Sequence, residues 1–282
     1  MNRILRKEVL SPSVKLMEVD APRVARKTLP GQFIILRVNE TGERIPLTVA
    51  DFDREKGSVT IVFQEVGKTT KLLGALNEGD CILDFAGPLG KPSHLEGYKR
   101  ACVVGGGLGC AIAYPQAKAL YEMGVKIDII AGFRSEDIIF FEKEMAACSD
   151  DLIVCTDDGS NGNKGLVTEF LKKKIEGGAD YDLVVAIGPP IMMKFVSLTT
   201  KPYGIKTIVS MNPIMIDGTG MCGGCRVSVG GKVRFACVDG PDFDGHEVDF
   251  DEVMRRSAMY REQEQSKLKD HICRLEGGAA NG

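Results

Sequence analysis

The sequence has no tryptophan, only three histidines among its 282 residues, and no apolar run long enough to span a bilayer. The longest candidate, near Leu183 to Met193, is broken by Gly188, Pro189 and Pro190, which argues against a transmembrane helix there. The stretch MNRILRKEVLSPSVKL lacks an uninterrupted apolar core, so no signal peptide is expected and the chain reads as cytoplasmic. A dominant charge is missing too. With 36 Lys and Arg against 39 Asp and Glu, the net charge is -3, which argues against nucleic acid or an anionic membrane surface as partner. His94, His246 and His271 have no partner at ligand spacing and read as surface or locally hydrogen-bonded residues. There is no internal repeat and no low-complexity tract.

What the chain does have is glycine and cysteine. Its 33 glycines, in an otherwise ordinary composition, point to tight turns and phosphate-binding loops. Nine cysteines in a cytoplasmic chain argue for metal or redox chemistry rather than a disulfide framework. Six of them (Cys81, Cys102, Cys110, Cys148, Cys155, Cys273) are scattered and read as small buried hydrophobes. The other three crowd into DGTGMCGGCRVSVGGKVRFAC, from Asp217 to Cys237, a stretch expected to make little regular structure.

The length suffices for two or three domains. Residues 1–98 carry short apolar runs separated by Gly, Pro, Asp and Asn (VKLMEV, QFIILRV, SVTIVFQEV, DCILDFAGPLG), which predicts an antiparallel sandwich or barrel. From Lys99 the pattern changes to strand and helix in alternation, which predicts a doubly wound parallel sheet over 99–210. A cysteine segment, 211–248, and a charged helical tail, 249–282, follow; the tail reads as lying on a surface rather than forming a core.

Several motifs sit where such folds bind ligands. VVGGGLGCA follows a buried strand and opens a helix. Gly105, Gly106, Gly107 and Gly109 allow close approach of a pyrophosphate to a helix N-terminus. Cys110 occupies the third glycine position of the usual fingerprint, and a plain strand-to-helix turn is the competing reading. TDDGS and GPP close two further strands. Asp157 and Asp158 suit ribose hydroxyls and repel a 2′-phosphate, whereas Arg134 suits a phosphate; either carboxylate also suits an ordinary turn. In the first domain, RIPLT (Arg44 to Thr48) and QEVGKTTKLL (Gln64 to Leu73) offer a cation, hydroxyls and a glycine turn for a second pyrophosphate, against the alternative of polar turns.

A barrel with R-x-P-L-T, then G-x-x-G-x-x-T, GPLG, GGGLG and GPPIM resembles the ferredoxin-NADP⁺ reductase superfamily, and the cysteine segment resembles electron-transfer subunits of dihydroorotate dehydrogenase B. RIPLTVAD, TDDGSNGNKGLVTEFL, DGTGMCGGCRV and ACVDGPDFDGHEVDF are similar to the small (alpha) subunit family of NADH-dependent reduced ferredoxin:NADP⁺ oxidoreductase, whose relatives are also labelled sulfide dehydrogenase beta subunits. The resemblance implies FAD in the barrel, with Arg44, Pro46, Leu47 and Thr48 against the flavin and Gly67, Thr69 and Thr70 at its pyrophosphate. It implies NAD(H) in the parallel-sheet domain, at Gly105 to Gly109, with Asp157, Asp158, Gly188 and Pro189 nearby. Ile187 stands where many of these reductases have a cysteine, so no thiol assists hydride transfer, which rests on the cofactors. A larger flavin and [4Fe–4S] subunit is the implied partner, with ferredoxin reached through it and electron bifurcation as the activity.

Cys222, Cys225 and Cys237 supply three thiolates, one short of the four ligands of a [2Fe–2S] cluster. Asp217 stands where dihydroorotate dehydrogenase electron-transfer subunits have their first cysteine, and is the implied fourth ligand. Other readings stay open: Asp217 as a loop cap, a zinc site completed by Asp217 or His246, a reactive CGGC dithiol, or a subunit serving another large flavoprotein.

Overall fold

The computed structural model describes residues 2–260 and 262–266. The N-terminal sheet has seven strands in the order β6-β1-β2-β5-β4-β3-β7. They are β1 (Asn2–Ser11), β2 (Val14–Asp20), β3 (Phe33–Arg37), β4 (Ile45–Asp53), β5 (Ser58–Gln64), β6 (Cys81–Ile82) and β7 (Asp84–Leu89). Every pairing is antiparallel. The two edge strands, β6 and β7, are separated only by Leu83, so the sheet curls until its ends nearly meet. Strand alternation sends Ile34, Leu36, Val49, Ile61 and Phe63 inward to a buried core, closed by Leu73 of α2 (Lys68–Ala75). The short α1 (Pro22–Ala25) adds Val24 and Ala25 to that core.

The second sheet has the order β10-β9-β8-β11-β12-β15. Its parallel part comprises β8 (Arg100–Gly106), β9 (Lys126–Phe133), β10 (Asp151–Thr156), β11 (Leu183–Ile187) and β12 (Lys206–Ser210). Helices α3 (Gly109–Glu122) and α4 (Glu142–Ala147) pack on one face; α5 (Val167–Glu176) and α6 (Pro190–Thr200) pack on the other. This is the doubly wound sheet that the strand–helix alternation predicts. The barrel and the sheet share one apolar cluster, in which Val14, Leu16, Ala50 and Val62 meet Ala113, Ala117 and Leu120 of α3. Lys118 of α3 also reaches both carboxylate oxygens of Asp51 on β4, at 3.1 and 3.2 Å.

The cysteine segment is more regular than its glycine content suggests. β13 (Arg226–Val229) and β14 (Lys232–Phe235) form a hairpin around Gly230 and Gly231, both at positive φ, as its two-residue turn requires. After α7 (Ala236–Asp239), β15 (Asp242–Asp244) pairs antiparallel with β12, so the cysteine segment supplies an edge strand of the parallel sheet.

The tail also begins differently from expectation. α8 (Phe250–Ser257) is capped by the Asp249 carboxylate, which accepts from the Glu252 amide, and it buries Phe250 and Val253 beside α6 and β13. The remainder of the expected tail helix, beyond Ser266, lies outside the described residues. A chain ending at Tyr260 keeps both core side chains. One ending at Asp249 is expected to lose roughly 3–6 kcal/mol, from burial of about 1.5–3 kcal/mol per large apolar side chain. Equal midpoints for the two truncations would contradict this packing.

Candidate cofactor sites and the cluster loop

The strand order reverses direction between β8 and β11, and ligands of open α/β sheets bind in the crevice at that point, beyond the carboxyl ends of the strands. The glycine loop and Gly188–Pro189 both lie there. Their glycines serve different ends. A Cβ on Gly109 would sit 2.7 Å from the Ile187 carbonyl carbon and 2.8 Å from Gly188 Cα, so this glycine lets the start of α3 press against the end of β11. Gly105 is closed in by Cys110, and Gly106 by Met192 and Pro189. Gly107 alone of the four faces open space and has φ +55°, so it leaves room for a phosphate at the start of α3. Asp157 and Asp158 are exposed at the end of β10. The Asp158 carboxylate accepts from the Ser160 amide and hydroxyl at 2.9 and 2.7 Å, and those bonds hold it below the ordinary carboxylate range. Burial pushes the thiols of Cys148 and Cys155 up to about 11, consistent with their reading as inert core residues.

In the barrel, alternation along β4 divides the RIPLT motif between two faces. Ile45, Leu47 and Val49 turn to the barrel core, so Leu47 does not present its side chain to an outer ligand as the motif suggested. Pro46 and Thr48 share the opposite face, and exposed Arg44 immediately precedes the strand. α2 begins at Gly67, where a Cβ would meet nothing within 4 Å. The Thr69 hydroxyl donates to Glu43 at 3.3 Å, which draws the two motifs to one site. The Thr70 hydroxyl is spent on its own helix start: it accepts from the amides of Val66 and Gly67 and donates to the Gly67 carbonyl. The open helix start, Lys68 and the Arg44 side suit a pyrophosphate.

The cluster loop is organised by its hairpin. Cys225 precedes β13 and Cys237 follows β14, so the Arg226–Phe235 pairing brings their sulfurs to 3.2 Å, both buried. Burial, with Cys225 beside it, pushes the Cys237 thiol up to about 12, so a metal binding here must displace a proton. Cys222 is exposed, and its sulfur accepts from the Gly224 amide at 3.4 Å. Asp217 accepts from the Thr219 amide at 2.9 Å and from the Cys222 amide at 2.7 Å, so it caps the loop while lying next to Cys222. The four side chains thus form two pairs, Cys225 with Cys237 and Asp217 beside Cys222. Two irons, each needing two protein ligands, fit that donor set.

The loop lies directly on the barrel. Phe33 and Ile35 of β3 and Leu89 of β7 pack with Met215, Cys225 and Cys237. A Cβ on Gly218 would come within 2.7 Å of Ile35 and 2.8 Å of Leu89. In the β3–β4 register, Phe33 faces Thr48 and Ile35 faces Pro46. Directly paired residues share a face, so the outer face of β4 continues into the surface that carries the cluster loop. The motifs gave no sign of Phe33 and Ile35; the unbroken apolar run Phe33–Leu36, which covers both faces of a strand, was the available signal.

Residues 2–94 match the oxidoreductase FAD-binding domain family, and residues 212–249 match the iron–sulfur cluster binding domain of dihydroorotate dehydrogenase B. The chain is 49% identical over 264 residues to the dihydroorotate dehydrogenase B (NAD(+)) electron transfer subunit homolog of Thermotoga maritima, covering 94% of this chain and 93% of that one. It is 34% identical over 228 residues to the electron transfer subunit of Bacillus caldolyticus, covering 78% of this chain and 86% of that one. The chain belongs to the dihydroorotate dehydrogenase B electron-transfer subunit family. Among solved structures, a chain of the NADH-dependent reduced ferredoxin-NADP oxidoreductase, described for flavin-based electron bifurcation, superposes with TM-score 0.92 at 46% identity, covering 96% of this chain and 98% of that one.

As a member of this electron-transfer family, the protein is an oxidoreductase subunit with an FAD-binding barrel and an iron–sulfur-binding segment. Family membership sets aside the zinc-module reading. No helix among the described residues is long and apolar enough to cross a membrane.

Proposed function

We propose that this chain is the NAD(H)-linked subunit of an electron-bifurcating complex, in which it relays electrons between NAD(H), FAD and a [2Fe–2S] cluster. When bound, the flavin exchanges a hydride with the nicotinamide and single electrons with the cluster. The observation that carries the reading is the shared β3–β4 face. Pro46 and Thr48 border the flavin side, while Ile35 and Phe33, directly opposite them, support the cluster loop. One rigid strand pair therefore sets the separation of flavin and cluster.

In this reading Arg44, Pro46 and Thr48 hold the flavin, and Gly67, Lys68 and Thr69 hold its pyrophosphate. Gly107 admits the pyrophosphate of the nicotinamide nucleotide, while Gly105, Gly106, Gly109, Gly188 and Pro189 shape the crevice around it. Cys222, Cys225, Cys237 and Asp217 would hold the cluster when it is bound. Asp157 accepts from the adenosine ribose and repels a 2′-phosphate, since Asp158 is committed to Ser160. Exposed Met221, Ile216 and Val238 around the cluster loop suit a larger flavin and [4Fe–4S] subunit as the electron partner.

The test is spectroscopic. The purified chain is expected to show flavin and iron–sulfur absorption, and anaerobic NADH is expected to bleach the flavin at least roughly tenfold faster than NADPH, from like-charge repulsion at Asp157. Asp157→Asn is expected to narrow that ratio. A colourless protein would end the reading; a preference for NADPH would move the nucleotide contact to Arg134.

A further inference from the structure

The barrel, the parallel sheet and the cluster segment meet at one buried crossing. The chain leaves the barrel after β7, and the Lys91 amide donates to the Gly240 carbonyl at 2.7 Å. The Met211 amide, just past β12, donates to the Pro241 carbonyl at 2.9 Å. Asp242, the first residue of β15, sends its carboxyl into this crossing. Its Oδ2 accepts from the Ser93 hydroxyl at 2.5 Å and lies 3.4 Å from the Gln116 side-chain nitrogen on α3. One side chain thereby touches the exit of the barrel and the first helix of the parallel-sheet domain while anchoring the cluster segment.

Two oxygens at the crossing make no close hydrogen bond, although Ser210, which faces Asp242 across the β12–β15 register, is near enough to attract the ionised carboxylate. Asp242 is half-buried as a residue, yet its Oδ1 is shut off from solvent and unpartnered; so is Oε1 of Gln116, a fully buried residue. A buried acceptor without a donor is destabilising, and here two lie on side chains already in contact. Among the described residues no charged group faces the carboxyl. The linker offers Ser93, β12 offers Ser210 and α3 offers Gln116, while Lys118 on α3 is committed to Asp51. Within the segment itself, Asp239 accepts from the Phe235 amide and Asp244 from the His246 amide.

We propose that Asp242 is a positioning residue that works in its protonated form, its carboxyl proton joining the two unpartnered oxygens and locking the cluster segment to both cofactor domains. One proton converts Oδ1 from an unpartnered acceptor into a donor and gives Gln116 Oε1 the partner it lacks. Unlike a bridging water, a proton requires no cavity. Burial pushes the carboxyl up to about 6, against the pull of the Ser93, Ser210 and Gln116 hydrogen bonds. Because the folded-state value lies above the ordinary 3.8, the stabilisation is complete below that ordinary value and is lost as pH rises through about 6. Deprotonation leaves an uncompensated buried charge where the three parts join, so the cluster segment is held less firmly at alkaline pH.

Asp242→Asn tests this, because its amide supplies an N–H where the protonated carboxyl supplies an O–H, and it cannot titrate. The readout is thermal unfolding of the purified holo chain across pH 4 to 8.5, so it stands apart from the electron-transfer reading. Asp242→Asn is expected to melt several degrees above the wild type at pH 8, with the difference closing through pH 6 and gone near pH 4. The flavin-to-cluster electron transfer rate is expected to fall through the same pH range in the wild type and to lose that step in Asp242→Asn. A variant less stable than the wild type at pH 8, or an offset independent of pH, would overturn the proposal. If the variant fails to accumulate, infrared difference spectra of the wild type between pH 5 and 7.5 decide. Loss of a neutral-carboxyl band supports the assignment, and its absence removes it.

Discussion

Gly109→Ala is expected to cost about 3 kcal/mol of stability and to weaken NADH binding roughly a hundredfold. The added methyl would stand 2.7 Å from the Ile187 carbonyl carbon and 2.8 Å from Gly188 Cα. Both atoms are backbone at the end of a central strand, so neither yields as a flexible side chain does. Either α3 moves away from β11 or the strand end shifts, and both open the crevice between β8 and β11. Gly107→Ala is expected to behave differently. Its Cβ meets nothing, so the stability cost is the left-handed conformation alone, about 1–2 kcal/mol. Its larger effect falls on NADH, because the methyl fills the space left for a phosphate. Denaturant unfolding and NADH titration of the two variants separate the roles. A Gly109→Ala protein with wild-type stability would show that the helix start is not wedged against β11.

Replacing Cys225 or Cys237 by serine is expected to remove most of the iron and the visible bands of the cluster, while the flavin stays in the barrel. These two sulfurs lie 3.2 Å apart and both are buried. Asp217 gives the finer test. Asp217→Cys is expected to keep iron but change the EPR spectrum and midpoint potential, since a thiolate is a softer donor than a carboxylate. Asp217→Ala is expected to lose iron. Its two amide bonds, to Thr219 and Cys222, make it a loop cap in any case. Full iron content and an unaltered EPR spectrum in Asp217→Ala would leave it as a cap alone. Iron analysis, EPR and potentiometry on the same preparations settle which role it has.

The sequence by itself determined the class of each part. Alternating apolar runs with Gly and Pro breaks specify a curled antiparallel sheet, and buried strands alternating with amphipathic helices specify a parallel one, because these patterns are local and each is tied to one backbone period. The cysteine spacing and glycine loops likewise identified the kinds of ligand, since donor type and close backbone approach are properties of the residues themselves. The hairpin that joins Cys225 to Cys237 runs against the expectation of little regular structure there; the Gly230–Gly231 pair that makes its turn was outweighed by the glycines around it.

Only the tertiary structure decided which residues of each motif face the site. Leu47 belongs to RIPLT but turns inward, because strand alternation acts relative to a core that the motif does not reveal. Two of the four loop glycines, Gly106 and Gly109, answer to Met192, Pro189 and the end of β11, contacts made between distant parts of the chain. β15 completes a sheet that ends, in sequence, at Ser210. The pairing of Thr48 with Phe33, the seating of Gly218 on Ile35 and the meeting of Ser93, Gln116 and Asp242 all join residues far apart in sequence. Register and packing set such meetings, and these are properties of the assembled chain rather than of any local stretch.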